Sequence, residues 1–192
     1  MILTDGRFVL RAVGPDDAAA LFEAVTASVA ELSPWMPWCA PGYTRKEARD
    51  WCAGRAAEWA EGTSFDFAVW SAPGAEPSAD ATPDAGSPRL LGGVGFNGMI
   101  AAHGVANLGY WTRTDAAGRG VATAAARLTA RWGLRDLGLT RVEILAAAGN
   151  VASQRVAEKL GAAREGLLRR RITVADRIHD AVVFSLVADD PV

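Results

Sequence analysis

Apolar positions along this chain change period from two to between three and four and back again, and those changes delimit the elements. Phe8-Val9-Leu10-Arg11-Ala12 reads as an opening strand. Gly14-Pro15-Asp16-Asp17 reads as a turn and helix start, with acids suited to the positive end of a helix. Ala18, Leu21, Phe22 and Val25 then follow at helical spacing. Pro34 and Pro37 keep Ser33–Trp38 from being regular helix. A helix from Thr44 to Ala60 carries Trp51 and Trp59, and Phe65–Trp70 alternates as a strand. Further strands are expected at Leu90–Phe96, Leu108–Trp111 and Val142–Ala146. Between the last two, Val121, Ala125, Leu128 and Trp132 share one helical face, with Arg127, Arg131 and Arg135 elsewhere. A short helix is expected between Asn150 and Gly161, a preferred N-cap and a common C-cap. Leu167–Val174 and Ala181–Val187 form a closing pair around a turn at Asp176, with His179 and Asp180 just ahead of the last strand. Interleaved helices and a closing antiparallel pair predict an α+β fold on a mostly antiparallel sheet.

Residues 71 to 88 break this patterning. They hold five Ala, four Pro, three Ser and no large apolar side chain. Such a stretch cannot bury enough surface to offset its ordering entropy. It is expected to be a long disordered insertion between two strands of a single domain covering residues 1–192. A chain of 192 residues, half of them hydrophobic, can bury roughly 70 % of its unfolded surface in one core.

Charge and cysteine content narrow the function classes. A net charge of −2 gives no basic footprint for nucleic acid or for an anionic membrane. Arg169-Arg170-Arg171 reads as a solvated strand end or, at most, a contact for an acidic acceptor. No 18-residue apolar run occurs, and the N-terminus lacks the charged and apolar regions of a signal peptide, so a cytoplasmic protein without membrane contact is expected. Cys39 and Cys52 lie outside any Cys-x-x-Cys pattern and far from His103 and His179, so reduced thiols and no metal are expected.

The chemistry begins at Asn107–Ala125. A strand runs into Gly118-Arg119-Gly120, and a helix opens at once on Val121-Ala122-Thr123. The first turn of a helix has amide donors without internal acceptors, and glycines let a ligand approach the backbone closely. That arrangement suits a diphosphate. It is not a nucleotide-triphosphate loop, which needs Gly-x-x-x-x-Gly-Lys-Ser/Thr; no lysine lies between Lys46 and Lys159. Gly93-Val94-Gly95-Phe96-Asn97-Gly98 matches the dinucleotide fingerprint, but Met99–Gly104 cannot supply the helix that must follow it, so a glycine-rich hairpin strand is expected there.

Ala117-Gly118-Arg119-Gly120-Val121-Ala122 resembles the pyrophosphate loop of the GNAT superfamily of acetyl-CoA-dependent N-acetyltransferases, with Ala117 where the family commonly has Gln or Arg. Asn150-x-x-Ser153 followed by Glu158-Lys159-Leu160-Gly161 resembles a second GNAT motif, in the family's order and spacing. Trp35-Met36-Pro37-Trp38, Leu108-Gly109-Tyr110-Trp111, Arg141-Val142-Glu143-Ile144 and His179-Asp180 are similar to the RimJ/RimL-like branch, which includes acetyltransferases of ribosomal-protein N-termini. The resemblance spans about Arg11 to Leu186.

That resemblance implies a sheet whose two central parallel strands splay to admit the cofactor. It implies that Tyr110, Trp111, Thr112, Gly118, Arg119, Gly120, Val121, Ala122, Thr123, Asn150 and Ser153 bind acetyl-CoA, with an amide at Tyr110 or Trp111 facing the oxyanion. Ser153 is the first choice to protonate the leaving thiolate, Tyr110 is catalytic or core packing, and Glu143 is the candidate base or a salt-bridged strand carboxylate. Trp35, Met36, Trp38, Asn97 and His179 are candidates for the acceptor site. The acceptor itself stays open between a protein N-terminus and a small amine. A non-catalytic acyl-CoA sensor is the reading from a different class, and a homodimer is an open option.

Overall fold

The computed structural model describes residues 1–73 and 88–190, so residues 74 to 87 of the expected insertion lie outside the described residues. Eight strands form one sheet in the order β1-β2-β3-β4-β5-β6-β8-β7: β1 Ile2–Thr4, β2 Phe8–Ala12, β3 Phe65–Ser71, β4 Leu90–Ile100, β5 Val105–Thr112, β6 Arg141–Ala147, β7 Ala163–Val174 and β8 Arg177–Val187. Among the described residues the helices are α1 Ala18–Thr26, α2 Val29–Leu32, α3 Arg45–Glu61, α4 Val121–Arg135 and α5 Val151–Leu160. None is long and apolar enough to cross a membrane.

The local chemistry explains the boundaries. Thr44 caps α3 in a reciprocal box, its hydroxyl accepting from Glu47 N while the Glu47 carboxylate accepts from Thr44 N. Gly62 ends that helix in the left-handed conformation, at φ 69°. Asn150 caps α5 by accepting from Ser153 N at 3.1 Å, and Gly161 ends it at φ 82°. The expected strand at 90–96 extends to Ile100 and returns through a 3₁₀ turn at Ala101–His103 into β5. The Gly-x-Gly-x-x-Gly string is therefore a hairpin strand, as its sequel implies.

Two expectations are corrected at the closing hairpin. β7 starts at Ala163 rather than Leu167, and β8 starts at Arg177, so His179 and Asp180 lie within the last strand. β7 is an edge strand exposed along most of its length, and an exposed strand has no apolar alternation to betray its start. β1 and α2, three and four residues long, are too short to carry a period.

Both faces of the sheet are covered. One face packs Phe67, Phe96, Leu108, Ile144 and Phe184 with Val121, Ala125, Trp132 and Leu160 from α4 and α5. On the other, Ala68 and Leu90 pack with Leu21 and Val25 of α1 and with Ala48 and Cys52 of α3. Both cysteines are free and buried. Every neighbouring pair of strands is antiparallel except β5 and β6. Those two pair only through Val105↔Arg141, Ala106↔Val142 and Asn107↔Glu143, and then part.

Candidate active site

The parting of β5 and β6 opens a cavity of about 650 Å³ in the sheet's centre. Asn107 marks its apex. Its Nδ2 donates to Asn97 Oδ1 at 2.9 Å, and its Oδ1 accepts from Leu145 N at 3.3 Å, so a side chain takes the place of the first missing rung. Beyond that point the facing edges, Leu108–Trp111 and Ile144–Ala147, line the cavity unpaired with each other. Exposed strand edges in a cleft offer hydrogen-bonding groups to an extended ligand.

Tyr110 and Ser153 meet at one side of the opening. Tyr110 Oη donates to the Ser153 carbonyl at 2.9 Å and lies 3.2 Å from Ser153 Oγ. Burial pushes the phenol up to about 12, against the smaller opposing effect of the Ser153 hydrogen bond. Tyr110 is thus neutral throughout the physiological range and able to donate. Asn150 lines the same wall while capping α5, which ties helix start and cavity together.

The opposite end is aromatic. Trp35, Met36, Trp38, Tyr43, Trp51 and Trp111 line it. Trp38 is edge-on to Trp111 at 5.9 Å and to Tyr43 at 6.3 Å, yet remains 45 % exposed, so its indole is wall rather than core. Trp35 stands 6.0 Å from the His179 ring and over Gly149. Two prolines bend the chain so that both indoles face one space. Beneath them the floor is glycine: Gly93, Gly95 and Gly109. A Cβ on Gly95 would stand 2.6 Å from both Asp66 Oδ1 and the Phe65 carbonyl oxygen, and one on Gly93 2.5 Å from Trp111 Nε1. Side chains there would fill the floor.

Tyr110, Trp111, Asn150, Ser153, Trp35, Met36, Trp38 and Asn97 are thus brought together around one cavity. The anticipated residues Gly118, Arg119, Gly120, Val121, Ala122 and Thr123 lie outside the lining, in the loop and helix start that follow β5, and Glu143, His179 and Thr112 lie outside it as well. Glu143, the candidate base, is not among the lining residues, and its carboxylate is ion-paired to Arg141 Nε at 2.9 Å. His179 lies behind Trp35, its Nε2 buried without a partner among the described residues. Thr112 pairs with Gly92 at the far end of β5, its hydroxyl likewise buried and unpartnered. The lining also includes polar and aromatic residues not anticipated as site residues, among them Asp66, Glu47, Tyr43, Trp51 and Asn107. Asp66 had a signal, since strand alternation turns it away from its flanking phenylalanines, Phe65 and Phe67.

After β5, a 3₁₀ turn at Thr114–Ala116 leads to the glycine loop. Gly118 (φ 76°) and Gly120 (φ 84°) both adopt the left-handed region, and nothing stands within 4 Å of either missing Cβ. The first four amides of α4 lack acceptors further back in the helix; the Ala124 amide alone is answered by the Gly120 carbonyl, at 2.9 Å. No acid lies in the first turn, and the helix dipole adds positive character. This cradle suits a diphosphate, and it continues the strand that borders the cavity. Among the described residues no three His, Cys, Asp or Glu side chains converge to hold a metal.

Comparison with known proteins bears on the family and the fold. A family model described as an acetyltransferase (GNAT) domain matches residues 7–163. The Bacillus subtilis protein named "Putative ribosomal N-acetyltransferase YdaF" is 38 % identical over 96 residues, 47 % of this chain and 52 % of that protein. The chain spans about half the length of the curated relatives it matches. Among solved structures, a "putative ribosomal-protein-serine acetyltransferase from Vibrio cholerae" is 26 % identical, with a TM-score of 0.78 over 97 % of both chains. A RimL ribosomal L7/L12 α-N-protein acetyltransferase in complex with coenzyme A shares the fold, with a TM-score of 0.83 at 20 % identity over 98 % of this chain and 100 % of that one.

Proposed function

Because the chain belongs to the GNAT acetyltransferase family, we propose that it is an acetyl-CoA-dependent N-acetyltransferase acting on the α-amine of protein N-termini. The observation that carries this reading is the cavity at the β5–β6 parting, which sets the neutral Tyr110 hydroxyl at one side against an aromatic compartment at the other, with the open glycine loop following the β5 strand that borders it. Acetyl-CoA, when bound, supplies an activated thioester carbonyl to an incoming amine.

The residues divide the work accordingly. Gly118, Gly120 and the amides of Val121, Ala122 and Thr123 hold the diphosphate, with Arg119 beside them. The unpaired edges of β5 and β6 and the Asn150–Ser153 wall hold the extended arm. An amide at Tyr110 or Trp111 faces the developing oxyanion, where a preorganised donor is worth about 10²–10³ in rate. Tyr110 Oη, with Ser153 Oγ at its side, donates the proton that the leaving thiolate takes up. Trp35, Met36 and Trp38 wall the acceptor.

The carboxylates support an α-amine as the acceptor. Among the described residues Asp66 and Glu47 are the only ones lining the cavity; Asp66 is tied through Oδ2 to Arg55 and Ser64, and Glu47 to Thr44, whose hydrogen bonds hold it below the ordinary glutamate value. Glu47 is thereby a weaker base than a free glutamate, and one oxygen of Asp66 is occupied by a guanidinium. An α-amine needs no strong base, being about 10–20 % neutral at pH 7, whereas a lysine amine is neutral only about once in 2,500. The names of the Bacillus subtilis and Vibrio cholerae proteins support a ribosomal protein as the acceptor.

A peptide carrying both a free N-terminus and an internal lysine tests this choice. Incubated with acetyl-CoA and fragmented in a mass spectrometer, it should carry acetyl on the α-nitrogen. Acetyl on the lysine alone would reassign the acceptor.

A further inference from the structure

Glu143 leaves the cavity without its expected carboxylate, and another residue stands in the position to receive the acceptor. Asp66 lies on β3 in a single cross-strand row with two glycines, Asp66↔Gly95↔Gly109, which runs toward the parting of β5 and β6. One carboxylate oxygen, Oδ2, is occupied by Arg55 Nη1 at 3.0 Å and by Ser64 Oγ at 2.8 Å. That fixes the plane of the group. The other oxygen, Oδ1, projects over Gly95, 2.6 Å from where a Cβ would be, and no hydrogen bond among the described residues engages it. Both residues line the cavity. Neighbouring strands lie about 4.8 Å apart, so a group seated on Oδ1 above Gly95 is roughly one strand from β5 and the unpaired edge beside it.

We infer that Asp66 Oδ1 is the anchor for the acceptor's ammonium group, with the Gly95–Gly109 floor as the track along which the amine reaches the reacting carbonyl. This rests on the transfer reading above and adds the residue that selects a cationic amine. The aromatic walls suit it, since indole and phenol faces accommodate a cation beside the carboxylate. Asp66 binds rather than deprotonates: the amine gives its proton to solvent, and its neutral fraction attacks. The charged and titratable groups facing this end are Arg55, Glu58 and Glu47 from α3, Tyr43 from the loop before it, and Tyr110 from β5; the β4 residues opposite Asp66 are glycine and apolar.

A carboxylate that favours the ammonium form raises the pKa of the bound amine. With an acceptor peptide slow enough for chemistry to limit turnover, the amine's limb in the kcat profile should lie about one pH unit above its limb in kcat/KM, because the first reports the complex and the second the free species. In Asp66→Asn, KM for the peptide should rise about 10- to 100-fold, as for loss of a charged hydrogen-bond partner. The kcat limb should then fall to the free amine's value or below, with acetyl-CoA affinity unchanged. A merely structural Asp66 would lower stability and move neither limb. Coincident limbs in the native enzyme, or an Asp66→Asn enzyme with native KM and profile, would overturn the anchor while leaving the transfer reading intact. If Asp66→Asn does not fold, the comparison of limbs in the native enzyme decides. Absence of turnover with every amine would remove the transfer reading and the anchor with it.

Discussion

At the scale of single residues, the proposed transfer turns on which hydroxyl, that of Tyr110 or of Ser153, would deliver a proton. Ser153 occupies the motif position, but its amide is spent on the α5 cap and its hydroxyl leans on Tyr110 at 3.2 Å. Tyr110 is held by two contacts to Ser153 and stays protonated because burial pushes it up to about 12. Tyr110→Phe keeps the ring and its packing while removing the donor. It should lower kcat by about 10²-fold or more, in the range of lost general-acid catalysis, with the KM for acetyl-CoA nearly unchanged. Activity within a few-fold of native would return Tyr110 to core packing. Glu143 teaches a complementary lesson. Arg141 stands two positions before it, hence on the same face of the strand, and that pairing was already visible in the sequence as a reason for the carboxylate to be occupied.

At the scale of elements, the start of α4 carries the phosphate assignment. Gly120→Glu sets a carboxylate at the proposed cradle, but it also forces a non-glycine residue to φ 84°, a strain of about 1–2 kcal/mol. Gly138, exposed at φ 80° with open space around it, lies in the turn after the same helix. Gly138→Glu therefore shares the strain without the site. Both variants should lose similar stability in thermal melts, while only Gly120→Glu should lose acetyl-CoA binding, by tenfold or more. Equal binding by the two would refute the cradle. The cap chemistry that positions α3, α4 and α5 was legible because Thr44, Gly120, Asn150 and Gly161 act on their own neighbours. The extent of β7 was not, because an exposed edge strand leaves no burial pattern.

At the scale of the molecule, one sheet is closed on both faces, and among the described residues its one parallel junction is the place where it opens. The fold class and the Tyr110–Ser153 wall of the cavity were readable from contiguous motifs. The aromatic side was readable only in part. Trp35 and Trp38 stood out through their prolines, but Asp66, Tyr43, Trp51 and Asn107 join them only once β3, β4 and the chain before α3 converge. Local sequence says that Asp66 faces away from Phe65 and Phe67; only the strand register says that glycines lie beside it. The site is thus a product of pairing between distant segments, and its central claim concerns what that pairing does to an amine.

The most direct test is free-thiol release from acetyl-CoA by the purified protein, with peptides beginning in Ser, Ala or Met set beside the same peptides with blocked N-termini. Thiol release is expected with the free peptides and not with the blocked ones. Release that ignores blocking, or no release with any free peptide, would contradict the account.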